Sequence, residues 1–393
     1  MSRRNHLYPG TGWSRFFRRA GALLSSAWLV MTCVQSAASA GTLSPPDSVH
    51  TIYEWGNTVP ATAPNDVPTT IQETDSVTSD AGNYSNVLVA SNGTVWGWAD
   101  TATGDTSPVL SQVPDVSNVV QRPVDGNGIF AAIEQPGLDE ACPSSTTVVR
   151  WSIHSAAQVV KTMNCMDVVQ LAEAAIHTFA LTANGSVYVW GGGAYGVLGL
   201  GADVQSAKNP TLVPALTALT NGTAHGVLIT TGMNAGSILV DGSAWSWGNN
   251  QYGQCGCGST ASQISSPTPV DQGSTFFKII DMGGNLNTDG HELAIDRSGD
   301  VWSWGDNSDG QLGNETTVDS DVPVEVTGLA GIVDVRAGGE HSLALDSSGN
   351  VWAWGDNEYG EVGDGSYENV LTPEEVLSGV SMISAGSYHS LAQ

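Results

Sequence analysis

The tripeptide Trp-Gly-[Asp/Asn] returns along this chain, each time closing a short run of alternating apolar residues. Val301-Trp302-Ser303-Trp304-Gly305-Asp306 and Val351-Trp352-Ala353-Trp354-Gly355-Asp356 are its clearest copies. Ala244-Trp245-Ser246-Trp247-Gly248-Asn249 and Val187-Tyr188-Val189-Trp190-Gly191 are two more, and weaker ones centre on Trp55, Trp98 and Trp151. The anchor thus recurs every 39 to 57 residues. Self-similarity at such a period marks a repeat architecture, in which a unit buries its faces only by stacking on its neighbours.

Aligned on its Trp, one unit reads Pro323–Val326, Ile332–Val335, Ala337–Leu345 and Val351–Trp354, with turns around Asp346–Asn350 and Gly355–Gly360. Alternation of period two between Gly, Asn and Asp clusters predicts four short strands. Helical spacing is absent after residue 40. His177, His291, His341 and His389 fall at one slot of the repeat, and Gly82, Ala174, Gly283, Gly338 and Gly386 at another. Seven anchors predict an all-β, seven-bladed ring of four-stranded units. The segments Thr51–Gly56 and Ser387–Gln393 are each part of a repeat, so N- and C-terminal strands are expected to share one blade and close the ring.

Residues 1–40 stand apart from the pattern. Five arginines without an acid precede an apolar run, Ala20–Val34, and Ala38-Ser39-Ala40 follows as a cleavage signal. The expectation is a signal peptide over 1–40 cleaved after Ala40, a short linker over 41–49, and one domain over 50–393. The protein is then secreted or periplasmic, without a membrane span, by either the general or the twin-arginine route (Ser2–Leu7 resembles the latter). From Gly41 onward 7 basic residues face 39 acids, deepening the net charge from −27 to −32. A surface this acidic repels phosphate backbones and anionic membranes, which excludes nucleic acid as a partner and leaves a basic partner or a divalent cation.

In an oxidising compartment the remaining four cysteines allow three pairings. Cys142 and Cys165 flank a predicted hairpin and are candidates for a disulfide across its base. Cys255 occupies the slot of Leu198, Leu312 and Val362 and reads as a small buried hydrophobe; a Cys-x-Cys metal site with Cys257 lacks a second ligand pair.

The runs Ala-Gly-x-x-His-Ser-x-Ala-Leu and Gly-x-Val-Trp-x-Trp-Gly-x-Asn-x-x-Gly-Gln-Leu-Gly resemble the regulator-of-chromosome-condensation (RCC-type) repeat. The resemblance spans 50–393 and is clearest over 171–393. It implies a seven-bladed β-propeller and no single activity. The nuclear founding member exchanges nucleotide on a small GTPase, a role that export argues against here. Secreted bacterial members bind other proteins.

Trp55, Trp98, Trp190, Trp247, Trp304 and Trp354 are read as core, buried between blades together with their partners two residues earlier. The four histidines are too far apart in a ring to share a metal, and each is expected to hydrogen-bond backbone in its own blade. Asp306–Gly310 lacks the spacing of a calcium loop, and Asn249, Asn307 and Asn357 suit a tight turn. No catalytic motif, metal site or cofactor-binding loop appears. The candidate binding residues lie just past Trp-Gly: Tyr195, Tyr252, Asp309 and Tyr359 align at one rim, a composition suited to protein recognition. The expected function is an exported, monomeric, non-catalytic module for an unknown protein or cell-surface partner. An extracellular hydrolase or lyase acting on polysaccharide or peptide is the alternative.

Overall fold

A computed structural model describes residues 50–56, 65–74, 76–81, 85–90, 93–99, 111–114, 116, 118–119, 123–125, 129–134, 146–152, 158–159, 163, 166–174, 176–232, 235–284 and 290–393. The segments expected to be a signal peptide and a linker, and the candidate Cys142–Cys165 pair, fall outside these residues, as does the side chain of Trp98.

The alternating segments become strands, and those strands form seven four-stranded antiparallel sheets among the described residues. Six are meanders of consecutive strands. We number these blades 1 to 6 along the chain, beginning with Ser76–Ala81. The seventh combines Ile383–Ala385 and His389–Ala392 with His50–Gly56 and Asn65–Thr74. Within it Tyr53–Gly56 pair with His389–Ala392, so that Trp55 lies opposite Ser390. The first strand of each blade lies against the first strand of the next, and Ile383–Ala385 of blade 7 against Ser76–Ala81 of blade 1. This is a β-propeller. Its one described α-helix, Pro214–Leu219, was not anticipated from helical spacing. It is too short to show a period, and Pro214 presets its first turn while Leu216 is buried beneath it.

The core sits between blades. Trp55, Trp247, Trp304 and Trp354 are fully buried. Three of these indoles donate to a carbonyl in the preceding blade: Trp247 to Val197 (2.6 Å), Trp304 to Gln254 (3.1 Å) and Trp354 to Gln311 (2.8 Å). Leu198, Cys255 and Leu312 are buried in those same loops, and Val362 in the loop that packs on Trp55. The first ring of each Trp pair behaves differently from expectation. Trp302 and Trp352 stay half-buried, and the Trp302 N–H reaches Asp296 at 3.3 Å beside a turn at the opposite rim.

The glycine that ends the loop motif has a steric reason. Gly313 (φ +65°) rests on the next blade's indole, where a Cβ would come within 2.8 Å of Trp354 Nε1. Gly256 meets Trp304 in the same way, at 2.6 Å.

The repeat histidines also differ from expectation: their rings reach across to the next blade. Backbone groups beside them are already taken by both neighbouring strands, so the imidazole points out of its own sheet. His177 Nε2 meets Thr231 Oγ1 (2.6 Å), His291 meets Ser342 Oγ (2.7 Å), His341 meets Ser390 Oγ (3.0 Å) and His389 meets Asn86 Oδ1 (2.8 Å). Ser342 and Ser390 donate their own protons to the carbonyls of Gln311 and Glu361, and Thr231 donates to that of Ala235. Each hydroxyl must therefore accept from an imidazole Nε2–H. The rings are neutral and fully buried. Desolvation lowers their pKa to about 3 for His177, His291 and His341 and about 4 for His389. Between blades 2 and 3 an ion pair serves instead, Arg150 to Glu173 at 2.6 Å.

Two outcomes follow. Gly313→Ala should lower unfolding free energy by about 2–4 kcal/mol, from positive φ and overpacking together. Gly273→Ala, with φ +58° but open space around it, should cost only about 1 kcal/mol; urea midpoints compare them. The neutral histidines contribute stability that is complete above pH 6.5 and is lost as pH falls toward 3. A His291→Asn/His341→Asn double variant should show a flatter fall in Tm between pH 6.5 and 4 than the parent.

Candidate functional site

In an up-and-down blade the first-to-second and third-to-fourth connections emerge at the same end. That end carries the loops that follow Trp-Gly. In blades 4, 5 and 6 the loop is built on a buried Asn; in blade 3 Gly193 stands in its place. Asn307 donates to the carbonyls of Thr316 (2.9 Å) and Val318 (3.0 Å) and accepts from the Leu312 amide (2.9 Å). Asn357 repeats this with Ser366, Glu368 and Val362. In blade 4 the part falls to Asn250, which spans Ser259, Ala261 and Cys255. The sequence expectation named Asn249, which the structure shows to be the counterpart of Asp306.

In the same three blades a second side chain finishes the loop. Gln254 accepts from the Tyr252 amide, Gln311 from the Asp309 amide and Glu361 from the Tyr359 amide, each at 2.9 Å. These bonds hold the amides of Tyr252, Asp309 and Tyr359, while their side chains stay at least partly open to solvent. Tyr195 is 48% exposed and takes φ +57° in the short turn Ala194–Gly196. The four candidates therefore occupy equivalent loop tips of blades 3 to 6 at one rim. The structure adds contacts that the sequence did not show. Tyr359 meets Tyr388 of blade 7 edge-on, with ring centroids 6.0 Å apart. Asp309 accepts from Asn369 Nδ2 at 2.8 Å, across the boundary between blades 5 and 6.

Around Asp309 the carboxyls converge. Glu340, half-buried in the turn before His341, has its pKa raised to about 8, first by burial and then by Asp309, Asp356, Asp306 and Glu358. Asp306 and Asp356 are raised as well, chiefly by burial, with Asp309 adding to both. Buried Glu361 is pushed to about 9 by burial and by Asp356, and the Tyr359 hydroxyl is raised chiefly by Glu358. The arrangement is an acidic patch edged by two tyrosines. At neutral pH it carries more carboxyl than it can ionise without cost. A guanidinium or ammonium group brought to it would relieve that repulsion.

Sequence reasoning found Asp309 and Tyr359 but missed Glu340, Asp356, Glu358, Glu361 and Tyr388. Two signals were present. Glu340 and Tyr388 both directly precede a repeat histidine, and Glu361 stands where Gln254 and Gln311 stand in other loops. Among the described residues no group of three or more His, Cys, Asp or Glu is arranged to hold a metal ion. Cys255 and Cys257 are both free thiols, and burial pushes the Cys255 thiol well above its ordinary value. Among the described residues no helix is long and apolar enough to cross a membrane.

Relatives share this architecture. Human E3 ubiquitin-protein ligase HERC2 is 30% identical over 246 residues, which is 60% of this chain and 5% of that protein. Ultraviolet-B receptor UVR8 of Arabidopsis thaliana is 29% identical over 169 residues, 43% of this chain and 36% of the receptor. The chain thus spans a minor part of either relative's length. Among solved structures, human WBSCR16 superposes with TM-score 0.69 at 20% identity, covering 88% of this chain and 99% of its own. Yeast RCC1 (Prp20), in a complex with Kap60, superposes with TM-score 0.71 at 17% identity, covering 91% and 96%. At those identities the likeness is one of fold. Residues 54–393 match the family model of the RCC1-like domain, so the Trp-Gly units are RCC-type repeats and the chain belongs to the RCC1-like domain family.

Proposed function

We propose that this protein is an exported, non-catalytic propeller that binds a protein partner through the rim carrying Tyr195, Tyr252, Asp309 and Tyr359. The observation that carries the reading is the convergence of Asp306, Asp309, Asp356 and Glu358 on half-buried Glu340, beside the Tyr359–Tyr388 pair. Carboxylates already repelling one another select a partner with Arg or Lys at its contact point. Tyrosines at the edge supply rigid apolar area and a face for a cation. The net charge of −27 extends the same preference over a longer range and would speed association with a basic surface. Yeast RCC1, a structural neighbour, is itself seen bound to another protein, Kap60. Export rests on the arginine-rich leader and the Ala38-Ser39-Ala40 signal.

Replacing Tyr195, Tyr252, Asp309 and Tyr359 by Ala should leave the circular dichroism spectrum unchanged and abolish capture of envelope or secreted proteins by the chain from Gly41 onward. Capture that survives would place the binding face elsewhere. Glu340→Gln should act in two opposite directions. The raised pKa of Glu340 means that its contribution to stability is complete below pH 4.5 and lost as pH rises to about 8. The Gln variant should therefore gain Tm over the parent progressively across that interval, while binding a basic partner more weakly. Binding by the parent should strengthen as pH rises toward 8 and weaken with added salt, which titration calorimetry at several pH values reads directly. Detection of a chain beginning at Gly41 outside the cytoplasm tests export.

A further inference from the structure

From blade 5 through blade 7 the imidazole bridges follow one rule, and blade 4 departs from it. Each bridging histidine lies opposite the Gly of Trp-Gly on its third strand: His291 opposite Gly305, His341 opposite Gly355 and His389 opposite Gly56. For these three the acceptor in the next blade lies opposite the Trp: Ser342 opposite Trp354, Ser390 opposite Trp55 and Asn86 opposite Trp98. His177 instead reaches Thr231 on the first strand of blade 4, since the residue opposite Trp247 is Gly236. In blade 4 the residue opposite the Gly is Ala235, which has nothing to donate. In blade 5 the residue opposite the Trp is Glu292. Blade 4 therefore sends no imidazole to Glu292.

Glu292 is completely buried, and neither carboxyl oxygen has a hydrogen-bond partner. Its polar neighbours are committed elsewhere. The Ser237 hydroxyl donates to Ser246 Oγ at 3.0 Å, and the Trp304 indole N–H donates to the Gln254 carbonyl. The titratable groups facing it are Asp281, from the first strand of blade 5, and the Cys255 thiol, from the loop of blade 4. Neither supplies a positive charge. An ionised carboxylate here would be a buried, uncompensated charge, so the folded ring holds Glu292 as the neutral acid.

We propose that the boundary between blades 4 and 5 is the place where this propeller opens, and that loss of the Glu292 proton is what parts the two blades. Opening releases the Trp304 indole from the Gln254 carbonyl and admits water to the new carboxylate. The same movement uncovers Cys255, which is fully buried in the loop under which Trp304 sits. Burial raises the Glu292 pKa well above 4.5. The sign is therefore fixed: opening is suppressed at low pH and grows as pH rises toward the folded-state value. The boundaries bridged by imidazoles respond in the opposite sense, losing stability as pH falls below 6.5.

Cys255 is a reporter for this event. Its alkylation rate by iodoacetamide, read on the Cys255 peptide by mass spectrometry, should be measured from pH 6 to 9 in the parent, Glu292→Gln and Ala235→His. Comparison at each pH cancels the reagent's own dependence on thiolate. The ratio of parent to Glu292→Gln rates should climb with pH, by up to about tenfold per unit. Ala235→His, which places an imidazole donor opposite Glu292, should bring the ratio back toward one. His291→Ala, which empties the bridge between blades 5 and 6, should leave Cys255 protected. Should Ala235→His fail to fold, the Glu292→Gln comparison decides alone. Parent and Glu292→Gln rates that track each other across the range would overturn the proposal, as would Cys255 labelling only upon global unfolding.

Discussion

The structure depends on one contact made at three successive blade boundaries: an indole seated under the loop of the preceding blade, its N–H held by that loop's carbonyl. A four-stranded sheet has two apolar faces and cannot bury either alone. Trp304 and Trp354 solve this by reaching into a neighbour, where each meets a carbonyl, a small buried residue (Cys255 or Leu312) and a glycine. The indole is large enough to fill the space between diverging blades, and its single donor fixes the register between them. Burial and direction thus come from the same residue.

That arrangement separates the scaffold from the recognition surface within a loop of a dozen residues. Asn307 and Gln311 fold the loop through backbone groups, and Gly313 and Leu312 anchor it to the next blade. None of this uses the side chain at position 309. Its counterparts in blades 4 and 6 are tyrosines, and those loops still close in the same way. A tip whose backbone is held by its neighbours can vary its side chain freely. Such a tip is where a repeat protein can place binding chemistry without disturbing its core.

Architecture was legible in the sequence because it is carried by local spacing. The Trp-Gly period, the two-residue alternation and the slot shared by Cys255 and Leu312 each translate directly into strand, face and burial. What was not legible depends on neighbours in space. The direction of His341 could not be read from its own blade, because its partner, Ser390, belongs to the next one. Glu340 is not legible because its carboxyl neighbours come from Asp306–Asp309, 31 to 34 residues upstream in the preceding blade, and Asp356–Glu358, 16 to 18 downstream, and gather only in the folded ring. Asn249 and Asn250 are equivalent in the sequence, and only the loop carbonyls that Asn250 spans tell them apart. The rings of Trp302 and Trp352 were assigned too much burial, since a shared face does not mean a shared depth.

The blade that joins residues near 55 to residues near 390 has a kinetic side. Bringing together strands some 335 positions apart costs about 3 kcal/mol more in loop closure than a ten-residue hairpin, because that entropy grows only logarithmically. At equilibrium the difference is small beside the burial of Trp55 and its neighbours. In time it is large. During synthesis the strand containing Trp55 emerges early and must wait, its edge unpaired, until almost every other blade has been made. An unpaired edge is a template for another chain. The heavy negative charge of this protein then has a use before any partner is met, since half-finished rings that repel one another are slow to join edge to edge.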